Sequence, residues 1–209
     1  MKYKKYFRKT SLKQIGDGDF FLKQIEEKRP KTFLEIGVFH GVTARNVCEL
    51  LHEFHGKDFR YIGLDLFETN EQNKKEIIPN VNFSNPLKKF FFKYIKRQNP
   101  YSLQAVQDLL KKYKNNVSLI KGNSNHTLKH IEMEKVDYVF LDGGHEYQTV
   151  KNDLNNCKEV IINLGTVLCD DYNLSYAPGV KKAIDEFVKI NNFKCEILHN
   201  SRFAKIEKY

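Results

Sequence analysis

Short apolar runs alternate with amphipathic segments along most of the chain, and several of the runs stop on an acidic residue. That alternation constrains the fold more than any other feature, because a strand followed by a crossover helix returns as a parallel neighbour. "TFLEIG" (32–37), "RYIGLDLF" (60–67), "VSLIKGN" (117–123), "VDYVFLD" (136–142) and "GTVLCDD" (165–171) read as strands. "VTARNVCELLHEFH" (42–55), "SLQAVQDLLKKY" (102–113), "EYQTVKNDLNNCKEVII" (146–162) and "GVKKAIDEFVKINN" (179–192) read as helices, with Ser102 capping the second. The last two runs, "KCEILHN" (194–200) and "RFAKIEKY" (202–209), lie too close together for a crossover and so form an antiparallel hairpin. The expected fold is α/β: a doubly wound, seven-stranded sheet, mostly parallel, with an antiparallel C-terminal strand at its edge.

A length of 209 residues suits one domain over 1–209, and 41% hydrophobic residues is enough for a proper core. Lys, Asn or Glu interrupts every apolar run, so no stable membrane insertion is expected. The start, "MKYKKYFRKTSLKQ", is basic and lacks the apolar stretch of a signal peptide. Cys48, Cys157, Cys169 and Cys195 are scattered, with no pair at zinc-ribbon spacing and no disulfide framework. Cytoplasm is the expected location. The net charge of +9 suits nucleic acid, an anionic membrane or an acidic substrate, and equally a surface of solvated lysines. Charge alone leaves that open.

Residues 68–100 break the rhythm, since a connection this long in a compact domain is uncommon and often functional. Within it, "NPLKKFFFKYIKRQNP" reads as an inserted helix, with Asn85 as cap, Pro86 in the first turn and Asn99-Pro100 as the stop. Leu87, Phe91, Tyr94 and Ile95 would share one face, and lysines with Arg97 the other. A packed surface helix, a lid over a substrate pocket and a membrane-touching helix are the three readings.

"EIGVFHG" follows the first strand and opens the first helix, the place for a nucleotide loop. It departs from the dinucleotide fingerprint, because Phe39 and His40 stand where a middle glycine would let backbone approach a diphosphate. Glu35 adds a negative charge there. The loop therefore suits a ligand without phosphate and with a positive group, and S-adenosylmethionine fits. Asp65, ending the second strand, is placed to accept hydrogen bonds from both ribose hydroxyls. A glycine-rich turn with no ligand is the alternative.

"FLEIGVFHG", "YIGLDLF", "IKGNSNHTL", "DYVFLDGGHEYQTVKNDL" and "LCDDY…PGVKKAIDEF" together resemble the class I S-adenosylmethionine-dependent methyltransferases. More narrowly, they resemble the metal-dependent sugar O-methyltransferases of the macrocin and mycinamicin type. The resemblance spans roughly residues 30–209, and its most specific part is DGGH followed by DDY. It implies that Glu35, Gly37, Gly41, Thr43 and Asp65 line the cofactor site, that Asp142 borders it, and that Asn123 and Ser124 flank the adenine. Residues 68–100 match no pattern of the family, so the acceptor does not carry over.

Asp142 ends one parallel strand, and Asp170 and Asp171 end the strand expected beside it. Neighbouring strands run about 4.8 Å apart, so the three carboxylates could converge. Left unpaired they would repel, and a hard divalent ion, Mg²⁺ or Mn²⁺ rather than zinc, would relieve that repulsion. The resemblance implies the same ligands. His145 sits at the mouth of the next helix, where the helix N-terminus disfavours an imidazolium and suits the ring to take a proton. A loop aspartate pair and a structural histidine are the bland alternatives. The pairs His52/His55 and His126/His130 read as surface residues.

These readings converge on a Rossmann-like, S-adenosylmethionine- and metal-dependent O-methyltransferase. Its acceptor would be a hydroxyl of a sugar, a glycoside or another small polyhydroxylated metabolite, from natural-product or surface-polysaccharide synthesis. No nucleic-acid partner is expected, and a homo-oligomer is left open. An RNA methyltransferase and a non-catalytic binder of the same cofactor are the rival readings.

Overall fold

The computed structural model describes residues 16–67 and 99–209, together with Leu12, Leu87, Phe90, Tyr94, Ile95 and Arg97. Apart from those single positions, the expected basic N-terminal stretch and inserted helix lie outside the described residues. The five parallel strands are β1 (Thr32–Ile36), β2 (Arg60–Asp65), β3 (Val117–Lys121), β4 (Tyr138–Leu141) and β5 (Thr166–Cys169). With β6 (Lys194–Leu198) and β7 (Phe203–Glu207) they form one seven-stranded sheet in the order β3-β2-β1-β4-β5-β7-β6. The order reverses at β1, which places the β1 and β4 loops side by side at the carboxyl edge.

Alternation along the strands divides the core between two faces. Phe33, Tyr61, Tyr138 and Phe140 point to one face, where α1 (Asp17–Lys28), α2 (Val42–His55) and α3 (Leu103–Leu110) cover them. Leu34, Ile36, Val139 and Leu141 point to the other, under α5 (Tyr147–Asn156), α6 (Lys158–Ile162) and α7 (Pro178–Asn191). A single helical turn, α4 (Ser124–Thr127), follows β3. The Ser102 cap is present, its hydroxyl accepting from the Ala105 amide at 3.1 Å. No described helix is long and apolar enough to cross a membrane.

Three features differ from the sequence expectation. The hairpin forms, but β7 pairs with β5 and leaves β6 at the edge, so the antiparallel strand is internal. A strand between two ladders buries both edges, and β7 is the more apolar of the two, with Phe203, Ala204 and Ile206 fully buried. The expected helix over 146–162 breaks at Cys157, whose ψ of −1° turns the chain. The turn lets Val160 and Ile161 reach the same sheet face as Val150 and Leu154. Helix α1 has no counterpart in the expectation; Phe21, Leu22 and Ile25 bury one side of it, and Phe21 packs on Phe140 with ring centres 4.3 Å apart.

The β1–α2 loop is pressed against the β4 loop. Gly37 has φ of +98°, and a Cβ there would lie 2.0 Å from the Asp142 carbonyl oxygen. Backbone meets backbone at that point, so no rotamer change can relieve a side chain. Gly37→Ala is expected to cost roughly 3 kcal/mol or more, combining left-handed strain with a direct clash. A thermal melt within a degree or two of wild type would contradict this packing.

Candidate active site

At the carboxyl edge of β1 the loop 37–41 turns back on itself, with the Gly41 amide donating to the Val38 carbonyl at 2.9 Å. Gly41 then enters α2 with left-handed φ, and a Cβ there would meet Val106 at 2.8 Å. Phe39 also holds a positive φ of 52°. Asp65 Oδ2 accepts from the Phe39 amide at 2.7 Å, while Oδ1 accepts from the Phe67 amide at 3.1 Å and the Tyr101 hydroxyl at 2.7 Å. Phe39 also packs on Tyr101, with ring centres 5.3 Å apart. The carboxylate expected to take ribose hydroxyls is thus held by three donors. Only the tyrosine among them can swing away by side-chain rotation.

Other expected cofactor residues are brought to this edge in different ways. Gly122 and Asn123 follow β3 beside Asp65, with the Gly122 amide donating to the Asp65 carbonyl at 2.9 Å. Asn123 caps α4 by accepting from the Asn125 amide, and Ser124 opens that turn. Thr43 is wholly buried in the first turn of α2. Glu35 does not present a charge on the loop surface. It is wholly buried beneath α2, accepts from the Tyr61 hydroxyl at 2.5 Å, and its Oε1 has no hydrogen-bond partner among the described residues. Burial, with Asp65 adding repulsion, pushes its carboxyl up to about 8 despite the Tyr61 bond. The reason lies in strand alternation: Glu35 follows Phe33 onto the face covered by helices, two residues before the loop.

Asp142 and Asp170 stand at equivalent heights, because Leu141 pairs with Cys169 across β4 and β5. Carboxylate oxygens of Asp142, Asp170 and Asp171 all lie within 4.8 Å of one another. Asp171 takes a φ of 61°, a left-handed turn that folds its side chain back beside Asp170. Burial, then repulsion from Asp170 and Asp171, drives the Asp142 carboxyl well above the ordinary range. Asp170 rises to about 6, burial outweighing its bonds to Arg202. His145 Nε2 lies 2.8 Å from Asp171 Oδ2, and its ring centre is 6.2 Å from that of the exposed Tyr176.

Arg202, unforeseen from sequence, grips this cluster. Its Nε and Nη2 donate to the two oxygens of Asp170, each at 2.7 Å, and Nη2 reaches Asp171 at 3.4 Å. Its Nη1 pairs with Asp17 of α1 at 2.8 Å, and His199 Nε2 lies 2.9 Å from the same aspartate. The register Cys169↔Ala204 carries the start of β7 alongside Asp170, and positive φ at His199, Asn200 and Ser201 makes the turn that delivers the arginine. The available signal was a basic residue beginning the last strand. It became readable only once β7 was known to pair with β5.

The three carboxylates suit a hard divalent ion. All donors are oxygens, they already converge, and the one guanidinium that bonds Asp170 and Asp171 is also claimed by Asp17. At the other end of the same edge, Asp65 and a loop that carries Phe39 and His40 in place of the middle glycine of a dinucleotide site fit a ribose-bearing cofactor without diphosphate.

The chain matches the protein-family profile described as "Methyltransferase domain" over residues 34–172. No curated protein matches it in sequence. Among solved structures, the O-methyltransferase NovP is similar at 18% identity and a TM-score of 0.63, over 90% of this chain and 79% of NovP. The SAH-bound methyltransferase PaMTH1 of Podospora anserina is similar at 19% identity and a TM-score of 0.58, over 94% and 83% of the two chains. CalS11, a TDP-rhamnose 3'-O-methyltransferase of calicheamicin biosynthesis, is similar at 14% identity and a TM-score of 0.58, over 90% and 77%. At these identities the likeness is one of fold.

The raised Glu35 carboxyl has a thermodynamic consequence. A folded value of about 8 lies above the ordinary 4.5, so folding favours the protonated form. Its contribution to stability is complete below pH 4.5 and is lost as pH rises through about 8. Glu35→Gln, which cannot ionise, should remove that part of the pH dependence and be more stable than wild type at pH 9 by roughly 1–3 kcal/mol. Parallel melting curves from pH 5 to 9 would refute the buried, neutral assignment.

Proposed function

The chain belongs to the methyltransferase-domain family and has the fold of the S-adenosylmethionine-dependent O-methyltransferases, and on that premise we propose that it methylates a hydroxyl of a sugar or small polyhydroxylated metabolite with a divalent ion, Mg²⁺ or Mn²⁺. The observation that carries this reading is the meeting of Asp142, Asp170 and Asp171 within 4.8 Å, with His145 bonded to Asp171. CalS11, which shares the fold, acts on a sugar hydroxyl, and that supports the acceptor class.

Asp65 would accept from the ribose hydroxyls of S-adenosylmethionine in place of the Tyr101 hydroxyl. Asn123 and Ser124 would flank the adenine, and Gly37 and Gly41 keep the loop backbone close enough to touch the ligand. Asp142, Asp170 and Asp171 would hold the ion. Bound there, such an ion supplies Lewis-acid polarisation that makes a hydroxyl more acidic. His145 takes the hydroxyl proton, and Asp171 orients its ring and stabilises the imidazolium, as a carboxylate does for other catalytic histidines. Methyl transfer is an in-line displacement, so the proton must leave an oxygen already held in position. The proposed acceptor is a small molecule, and the four free thiols suit a reducing, cytoplasmic setting.

The cofactor half of the reading is tested by calorimetry. Asp65→Ala should weaken S-adenosylmethionine binding by roughly 1–3 kcal/mol, because it strands the polar groups that the carboxylate served. Unchanged affinity would remove Asp65 from the site. The chemical half is tested by mass spectrometry of products formed from a panel of glycosides. EDTA should abolish product while S-adenosylmethionine stays bound, and His145→Ala should lower kcat by roughly 10²–10⁴. Full turnover in excess EDTA would sink the metal role, and normal turnover by the histidine variant would return His145 to scaffolding.

A further inference from the structure

We propose that Arg202 is a built-in counter-cation of the acidic cluster: it holds Asp170 in place before a divalent ion arrives and weakens that ion's binding. The inference rests on the metal reading above and concerns a residue outside the expected ligand set. Three observations carry it.

The first is geometry. The guanidinium forms a two-pronged pair with Asp170, both contacts at 2.7 Å, and Asp170 is almost wholly buried. Asp170 Oδ1 also accepts from the Asp171 amide at 2.8 Å. Oδ2 takes only the arginine among the described residues, so one of its lone pairs remains for an ion. Arginine and ion can therefore occupy the same carboxylate at once, and their like charges then lie only a few ångströms apart.

The second is the anchor behind the arginine. Asp17 holds Nη1 at 2.8 Å and is itself buried at the start of α1, so Arg202 cannot withdraw when an ion binds. A flexible surface lysine would retreat into solvent. This guanidinium stays, and its repulsion is part of the cost of loading the site.

The third is the backbone that delivers it. His199, Asn200 and Ser201 all hold left-handed φ, at 50°, 56° and 62°. The Tyr172 amide donates to the Arg202 carbonyl at 2.8 Å, so the arginine is fastened through main chain to the loop that carries Asp170 and Asp171. A hairpin turn strained at three successive non-glycine residues fixes one side chain over the acids.

Charge and positioning predict opposite effects on metal affinity. If Arg202 chiefly aims Asp170 at the ion, its loss loosens a ligand and weakens binding. If it is chiefly a resident positive charge, its loss strengthens the attraction between the acids and the ion. At separations of a few ångströms in a partly buried site the Coulomb effect should dominate, giving affinity about tenfold tighter or more.

The test uses the full chain stripped of metal, titrated with MnCl₂ while free Mn²⁺ is read from its electron paramagnetic resonance signal, with melting curves alongside. Arg202→Gln should melt lower than wild type without metal, because Asp170 loses its partner, and should bind Mn²⁺ about tenfold tighter or more. Its melting point should also rise further on adding Mn²⁺. Arg202→Lys keeps the charge without the two-pronged fit, and should bind within about threefold of wild type. Equal or weaker binding by Arg202→Gln would overturn the proposal while leaving the metal site intact. Should that variant fail to fold, Arg202→Lys decides: near-wild-type affinity supports a charge effect, and a tenfold loss overturns it. Wild-type protein that takes up no Mn²⁺ would bring down the metal reading itself, and this inference with it.

Discussion

Two parallel strands that end in register concentrate negative charge where the polypeptide has least freedom to disperse it. Leu141 and Cys169 are paired, so Asp142 and Asp170 emerge side by side, and the left-handed turn at Asp171 brings a third carboxylate to the same spot. Sheet geometry permits no retreat. The fold answers with Arg202, which ties β7 to the β5 loop and, through Asp17, to the first helix. Elements from both ends of the described chain thus meet at one ionic knot. That is why the proposed metal cluster and a structural clasp are the same object here, and why the Asp142 and Asp170 carboxyls stay raised even with a guanidinium beside them.

The neighbouring cofactor edge is built on close backbone approach. Gly37 lets the β1 loop lie directly on the Asp142 carbonyl, and Asp142 in turn donates its amide to the Ile36 carbonyl at 2.9 Å. A shift of one loop is therefore a shift of the other, so the methyl donor and the proton acceptor would keep a fixed separation. Glu35 is packed into this framework, wholly buried. Buried beneath the loop with its carboxyl pushed up to about 8, it accepts from the Tyr61 hydroxyl of the adjacent strand.

The strand–helix alternation, the Ser102 cap and the paired acids at 142 and 170–171 were all legible in the sequence, because each is a local pattern with a direct geometric consequence. What escaped was set by distant pairing. Arg202 is an ordinary basic residue until β7 inserts between β5 and β6, and nothing local distinguishes that order from an edge hairpin. Helix α1 shows apolar residues at helical spacing, Phe21, Leu22 and Ile25, yet it lies ahead of the first strand and outside the recognisable motifs. The burial of Glu35 was not legible for a different reason: its position beside the loop was clear, but which face of the sheet its side chain took depends on strand alternation rather than on the motif.

The long segment between β2 and α3 can be understood from its two ends even though its sequence fits no pattern. Phe67 closes the chain before it, and Tyr101 resumes the chain after it. The amide of the first and the hydroxyl of the second both donate to the same oxygen of Asp65. Asn99 reinforces the second anchor, its side chain accepting from the Tyr101 amide at 3.0 Å and its carbonyl from the Ser102 amide at 3.0 Å. Asp65 is therefore the clamp that closes this loop as well as the carboxylate best placed for a ribose. A ligand that competes for Asp65 Oδ1 must displace an anchor of the segment, and the anchor able to move is Tyr101, since the Phe67 contact is main chain. A ribose bound at Asp65, as proposed, would therefore compete with the Tyr101 anchor through a single carboxylate oxygen.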